Sequence, residues 1–183
     1  MIAIIIGWFG TLLYVASYLY LTLSPASKSS LYYSGNLLAA LCICIVSLTL
    51  YSWQAFIINF FWLIISIAGL LKWKLGFKMP GQVFSLSVMS LVCLSGIVVF
   101  AFFATDLGIS LMAWSSTICY CFGYLLFTNQ VLEEDTYFIV NGVCSILIIP
   151  ELWFDQNYPT VGLQVIWLII SITGFIRMIW QRV

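Results

Sequence analysis

Carboxamide side chains inside long apolar runs are the residues of this sequence best suited to chemistry. Four of them occur, at Asn36, Asn59, Asn141 and Gln164. An amide surrounded by apolar side chains must find a partner, because an unpaired buried polar group costs on the order of a few kcal/mol. The partner is either a side chain of another helix or the water and solute of a polar cavity. Both interpretations are open at this point.

Two of the amides are followed by a tryptophan and a serine at helical spacing. Asn59, Trp62 and Ser66 stand at i, i+3 and i+7 and therefore share one face of a helix. An indole face flanked by amides can stack on and hydrogen-bond a small polar or amphipathic solute. For the amides, hydrogen bonding between helices is the alternative, and for Asn36 and Asn141 such packing or a gate is favoured. The predicted substrate-binding residues are Asn36, Asn59, Trp62, Ser66, Asn141, Gln164, Trp167 and Ser171.

Tyrosine pairs and one carboxylate complete the candidate residues. Tyr14 and Tyr18 stand at i, i+4, as do Tyr120 and Tyr124, so each pair lines one helix face as a gate or as packing. Packing is favoured, because small residues beside the first pair permit a close helix approach. Glu151 lies close to the interior of an apolar run, where a carboxylate is a candidate for proton coupling unless it reaches the outer surface.

The composition of the chain indicates the environment in which these residues lie. The chain is 64% hydrophobic and 7% charged, with a mean hydropathy of +1.15, which is typical of an integral membrane protein. The net charge is zero and there is no His, so the sequence predicts no nucleic-acid partner, no metal and no cofactor. All six Cys lie in apolar runs and are interpreted as small hydrophobic residues. Because no clustered acids, nucleotide loop or activated nucleophile is visible, we expect no enzyme activity.

Seven apolar runs have the length of a membrane-spanning helix, for which about 20 residues cross roughly 30 Å of hydrocarbon. Strands are not expected, because an open sheet edge in lipid would leave backbone groups unpaired. The sequence therefore predicts an all-α integral membrane protein. The predicted helices lie near 2–23, 31–51, 53–71, 82–103, 108–128, 136–154 and 160–179.

The basic residues predict the orientation of these helices, because short cytoplasmic segments retain Lys and Arg. An external N-terminus and a cytoplasmic C-terminus place all six cations on the cytoplasmic side. An even number of crossings would move at least one basic segment to the other side, so seven is favoured. The six cations are Lys28, Lys72, Lys74, Lys78, Arg177 and Arg182.

An internal repeat organises the chain. The segment 61–69, FWLIISIAG, recurs as IWLIISITG at 166–174, an offset of 105 residues (166 − 61). The same offset pairs Asn36 with Asn141, and an offset of 106 (120 − 14) pairs Tyr14 with Tyr120. Three helices are an odd number, so a linker helix is needed to make the two copies parallel, a 3+1+3 plan. The predicted divisions are a first repeat at 1–74, a linker helix at 75–106 and a second repeat at 107–183.

Three motifs carry a family resemblance: the first helix with Gly10, Tyr14 and Tyr18, the second with Tyr-x-x-x-Asn at 32–36, and the third with Trp-x-x-x-Ser-x-x-Gly at 62–69. They resemble a bacterial family of three-helix membrane proteins, here duplicated. More distantly, the arrangement is similar to SWEET and semiSWEET sugar transporters, PQ-loop proteins and PnuC vitamin transporters. The chain departs from that group because it has no Pro-Gln dipeptide and lacks the expected hinge prolines.

The resemblance implies a small-solute transporter or facilitator in a bacterial inner membrane, working by alternating access between two three-helix halves. Its partners would be a small polar or amphipathic solute and membrane lipids, and formation of a homo-oligomer is left open. Sugar specificity and a proline hinge do not carry over. The alternative is a non-transporting receptor, a lipid- or cargo-binding protein, or an assembly module, because related folds also serve recognition.

Overall fold

Seven α-helices make up nearly all of the chain that the structure describes. The computed structural model describes residues 1–23, 29–73, 76, 78–103 and 106–182, without side chains at 21–23, 29, 103 and 181–182. Within these ranges there is no β-strand. The predicted helix bounds agree within three residues, and the cations Lys28 and Lys74 lie outside the described residues. The helices are α1 (Ile2–Leu23), α2 (Ser29–Thr49), α3 (Trp53–Leu70), α4 (Gln82–Phe103), α5 (Asp106–Thr128), α6 (Glu134–Phe154) and α7 (Tyr158–Arg182).

The helices have the dimensions of membrane spans. They contain between 18 and 25 residues, and all seven are apolar and long enough to cross a bilayer. The prediction of an all-helical integral membrane protein is therefore confirmed. The external N-terminus, the SWEET-like arrangement and the type of membrane stay predictions.

The α2–α3 and α6–α7 corners are built in the same way. Tyr51 and Gln156, 105 residues apart (156 − 51), have positive φ angles of 56° and 57°. The next residue in each corner, Ser52 or Asn157, donates its backbone N–H to the carbonyl five residues earlier, at 2.9 Å in both cases. This bond satisfies a carbonyl at the end of the preceding helix and turns the chain into the next one.

The packing of the third helix of each repeat on the second is also duplicated. A Cβ on Gly69 in α3 would meet the ring of Tyr33 in α2. A Cβ on Gly174 in α7 would lie 2.6 Å from Cζ of Phe138 in α6. Both pairs are related by the 105-residue offset, so an aromatic ring covers a glycine at the same place in each repeat.

The chain forms two compact units. The first contains Met1–Leu75 and Leu152–Leu163, and the second contains Gly76–Glu151 and Gln164–Val183. The first unit thus combines α1, α2 and α3 with the end of α6 and the start of α7. The predicted division at 1–74, 75–106 and 107–183 stays a prediction.

In the first unit, small residues bring α1 close to two other elements. A Cβ on Gly10 would lie 2.8 Å from Cβ of Cys42 in α2 and 3.0 Å from the carbonyl oxygen of Ala39. At the next residue, Thr11 Oγ1 donates a 2.8 Å hydrogen bond to the carbonyl of Pro159, in the first turn of α7. A proline is tolerated there because its missing N–H has no helical partner.

In the second unit, α4 and α5 approach each other closely. A Cβ on Gly96 would lie 3.0 Å from Cα of Met112, and a Cβ on Gly108 would lie 2.9 Å from Cα of Phe100. From the first contact to the second, the α4 residue moves forward in sequence, from Gly96 to Phe100, while the α5 residue moves back, from Met112 to Gly108. The two helices are therefore antiparallel neighbours, which the short connection between them requires.

Candidate functional site

A buried hydrogen bond between a tyrosine and an amide occurs at the equivalent place in each repeat. Tyr14 Oη in α1 donates to Asn59 Oδ1 in α3 at 3.1 Å. Tyr120 Oη in α5 donates to Gln164 Oε1 in α7, also at 3.1 Å. All four residues are buried. The sequence offsets identify these residues as equivalent, and the structure shows that they bond to each other.

In the second repeat the pair is part of a longer hydrogen-bond network. The Tyr120 hydroxyl also lies 2.8 Å from Ser145 Oγ in α6, so one hydroxyl contacts groups on two other helices. Ser145 Oγ donates to the backbone carbonyl of Asn141 at 2.9 Å. The Asn141 side-chain amide in turn donates to Ser171 Oγ in α7 at 2.8 Å. These bonds hold all three helices of the repeat together.

The first repeat has a smaller version of this network. Ala40 stands where the second repeat has Ser145 (145 − 105), so no hydroxyl is available there. Ser66 Oγ donates to the carbonyl of Trp62 in its own helix at 2.8 Å. The Asn36 side chain lies near the Tyr32 hydroxyl, one turn earlier in α2.

The predicted substrate-binding residues therefore lie in two different environments. Asn59 and Gln164 are buried and have partners inside their own repeats, as the helix-packing alternative predicts. Asn59 Nδ2 additionally donates to the Ala55 carbonyl at 2.8 Å. Trp62 and Trp167 are half-buried on the neighbouring strip of each helix. That these residues line a path for a solute stays a prediction.

The other predicted residues take the following positions. Tyr18 is half-buried near Tyr32. Tyr124 is half-buried as well, with its ring 6.5 Å from that of Tyr137. Glu151 is half-buried in the last turn of α6, next to Pro150. Its predicted role in proton coupling stays a prediction.

A cavity of about 190 Å³ lies in the second unit between α4, α5 and α6. Cysteines from the three helices line it, Cys93, Cys119 and Cys144, and the Sγ atoms of the first two are 3.5 Å apart. All six cysteines are free thiols. Among the described side chains, no group of three or more His, Cys, Asp and Glu is arranged to hold a metal ion. The remaining walls are mostly apolar, so the cavity is suited to an apolar group.

The sequence analysis did not identify a polar cluster in the first unit, where the α2–α3 corner meets the α6–α7 corner. Asn157 Nδ2 donates to Ser47 Oγ at 3.1 Å, and Thr160 Oγ1 donates to Asn157 Oδ1 at 2.8 Å. Beside them, Ser52 Oγ and Asp155 Oδ2 are buried without a hydrogen-bond partner in the described structure. Burial raises the pKa of the Asp155 carboxyl, and the Ser52 hydroxyl lowers it by a smaller amount.

One sequence signal pointed to this cluster. Ser52 and Asn157 are equivalent positions at the 105-residue offset (157 − 52), and both precede the third helix of a repeat. Both lie outside the predicted spans, where polar residues need no special partner. The cost of a polar residue inside a span therefore does not single out Ser52 and Asn157.

One protein-family model matches the chain twice, at residues 3–76 and at 109–182. The chain belongs to this family. The two matches begin 106 residues apart (109 − 3), which confirms the predicted duplication of a three-helix unit. The match shows no connection to SWEET, PQ-loop or PnuC proteins, so that similarity stays a prediction. No curated protein and no solved structure matches the chain.

Proposed function

We propose that this protein is a small-solute transporter or facilitator that works by alternating access between its two three-helix halves. The observation that carries the proposal is the duplicated tyrosine–amide pair, which has the same 3.1 Å bond length in both repeats. Transport by rocking needs two comparable bodies that move without deforming. A buried hydrogen bond from the first to the third helix stiffens each repeat in the same way.

In each repeat the residues proposed to contact solute lie beside that repeat's own pair. Trp62 and Trp167 are the half-buried aromatic residues one turn from the paired amides, and they would provide stacking surfaces for a small polar or amphipathic solute. Ser66 and Ser171 lie one turn farther along the same faces. No cofactor and no catalytic residue enters this proposal.

One observation favours a second candidate, a non-transporting receptor or assembly module. Asn59 and Gln164 already have protein partners, so no bound solute is needed to satisfy their carbonyl oxygens. In that case the duplicated pairs would serve only to hold the helices together. The two candidates differ in whether binding of a solute leads to its movement across the membrane.

A thermal-shift screen tests the proposed site. Purified protein is heated with panels of sugars, vitamins, nucleosides and amino acids, and we expect at least one compound to raise the unfolding midpoint. Trp62→Ala and Trp167→Ala should remove that rise while leaving the midpoint of the ligand-free protein nearly unchanged. Trp180→Ala is the matched control, because Trp180 is 80% exposed and should leave the rise intact.

Two outcomes would count against the site. If no compound shifts the midpoint, a solute-binding function loses its support. If the two tryptophan variants keep the full ligand response, solute binds elsewhere. A response without solute movement into liposomes would favour the receptor.

A further inference from the structure

Two buried polar atoms without partners meet where the α2–α3 corner packs against the α6–α7 corner. Ser52 is fully buried, and its Oγ makes no hydrogen bond in the described structure. Oδ2 of Asp155 is also buried without a hydrogen-bond partner in the described structure, although Asp155 as a whole is only half-buried. We propose that Ser52 and Asp155 form a proton-binding site that joins the two corners.

The physical reason for the proposal is the cost of leaving such atoms unsatisfied. A buried acceptor without a partner costs about 1–3 kcal/mol, and more when it is charged. Groups of this kind in native proteins are usually explained by a water, an ion or a catalytic role. The Ser52 hydroxyl is near enough to Asp155 to affect the titration of its carboxyl. The Ser52 hydroxyl can donate to Oδ2, and a proton on the carboxyl would remove the charge that burial makes costly.

The charges around the site favour a proton. Burial is the largest cause of the raised pKa of Asp155, and the smaller, opposing effect comes from Ser52, not from a neighbouring charge. The titratable groups at the ends of the elements that meet here are Tyr51 at the first corner, Glu151 in the last turn of α6, Tyr158 at the start of α7 and the amino group of Met1, just before α1. None of them is among the causes of the shift. Because no cation is among the causes of the shift, only the Ser52 hydroxyl opposes the effect of burial, and the pKa of Asp155 lies above its ordinary value.

An observed hydrogen bond already joins the same two corners. Asn157, two residues after Asp155, donates to Ser47 near the end of α2. The two corners are thus already joined by the bond between Asn157 and Ser47, and the protonation state of Asp155 would set how strongly they are held together. The position equivalent to Asp155 in the first repeat is Leu50 (155 − 105), so the acid occurs in one repeat alone. A role of this contact in the rocking motion rests on the proposed transport function, whereas proton binding by Asp155 does not rest on it.

The pH dependence of the unfolding midpoint tests the site. A carboxyl whose pKa is raised by folding stabilises the protein below its unfolded pKa, near 3.8, and that stability is lost as the pH rises through the folded pKa. We expect the midpoint to fall over that interval in the wild type. Asp155→Asn imitates the neutral acid and should remove this part of the pH dependence. The control Glu133→Gln changes an exposed acid and should keep the wild-type curve.

A second variant tests the role of Ser52. Because its hydroxyl lowers the pKa of Asp155, Ser52→Ala should move the fall in the midpoint to higher pH. If Asp155→Asn and wild type show the same pH dependence, the proposal is wrong. It is also wrong if the Ser52→Ala curve moves to lower pH.

An infrared measurement keeps the proposal testable should either variant fold poorly. The carboxylic-acid band of the wild type should persist above pH 3.8, the ordinary value for an aspartate, and isotope labelling of aspartate should shift that band. Replacing sodium by choline at constant pH should leave both the band and the midpoint unchanged. A midpoint that follows sodium and not pH would assign the site to a metal cation and overturn the proposal. Because none of these readouts measures flux, their outcome is independent of the transport assay.

Discussion

The two repeats share the buried tyrosine–amide contact and differ in the polar side chains that extend it. The Tyr120 hydroxyl contacts both Gln164 and Ser145, whereas Tyr14 bonds to Asn59 and the first repeat has Ala40 at the position equivalent to Ser145. The second repeat has Gln164 where the first has Asn59, and Ser145 where the first has Ala40, yet both keep the contact between their first and third helices. The tyrosine–amide pair is therefore the common element of the two repeats, and the wider network belongs to the second repeat.

The largest difference between the repeats should appear at the crossing of the first two helices. A Cβ on Gly10 would lie 2.8 Å from Cβ of Cys42, whereas its equivalent, Ser116, fits a hydroxyl that donates to the Cys144 carbonyl at 2.7 Å. Gly10→Val should destabilise the protein by about 1–3 kcal/mol through overpacking. Ser116→Ala removes one hydrogen bond between helices and should cost about 0.6 kcal/mol. Thermal unfolding in detergent compares the two, and equal losses would show that the two crossings are equally close.

The tyrosines test whether the second network is the stronger one. Tyr120→Phe removes the contacts to both Gln164 and Ser145 and should cost about 1–2 kcal/mol. Tyr14→Phe leaves Asn59 alone affected and should cost about 0.6–1 kcal/mol. Phenylalanine keeps the ring, so the loss reports the hydroxyl. A larger loss for Tyr14→Phe, measured by chemical unfolding, would contradict the comparison.

The equivalent serines of the third helices give the smallest expected effects. Ser171→Ala breaks a bond to Asn141 on another helix and should cost about 0.6 kcal/mol. Ser66→Ala breaks a bond within α3 and should change stability by less than about 0.5 kcal/mol, because the carbonyl of Trp62 keeps its place in the helix. The pair is measured by the unfolding midpoint. A loss at Ser66 that exceeds the loss at Ser171 would mean that Ser66 has a role beyond its own helix.

The sequence predicted the helices and the repeat well, for a simple reason. Span length and apolar composition are properties of each segment alone, and the offset between Tyr14 and Tyr120 can be counted without a structure. Which side chains touch depends on how each helix is rotated about its axis. Helices that are apolar on nearly every face carry little information on that rotation. The sequence therefore identified Asn59 and Gln164 as costly residues and Tyr14 and Tyr120 as gate or packing residues, but not that these tyrosines bind the amides.

The junction of the two corners illustrates a second limit. Glu151 was the predicted proton-coupling residue because it stands closest to the interior of a span. That role stays a prediction, and the structure shows a further acid, Asp155 four residues farther on, with a buried oxygen that lacks a partner. Its neighbour Ser52 is more than 100 residues away in sequence (155 − 52), and no local pattern reports a contact at that distance.

Uptake into liposomes is the most direct test of the central claim that the two repeats form a transporter. Protein is reconstituted, and each compound that raised the unfolding midpoint is followed as it enters the vesicles. The account predicts saturable uptake of at least one such compound, lost in Trp62→Ala and Trp167→Ala and retained in Trp180→Ala. Entry at the rate of protein-free liposomes for every compound that binds would contradict it.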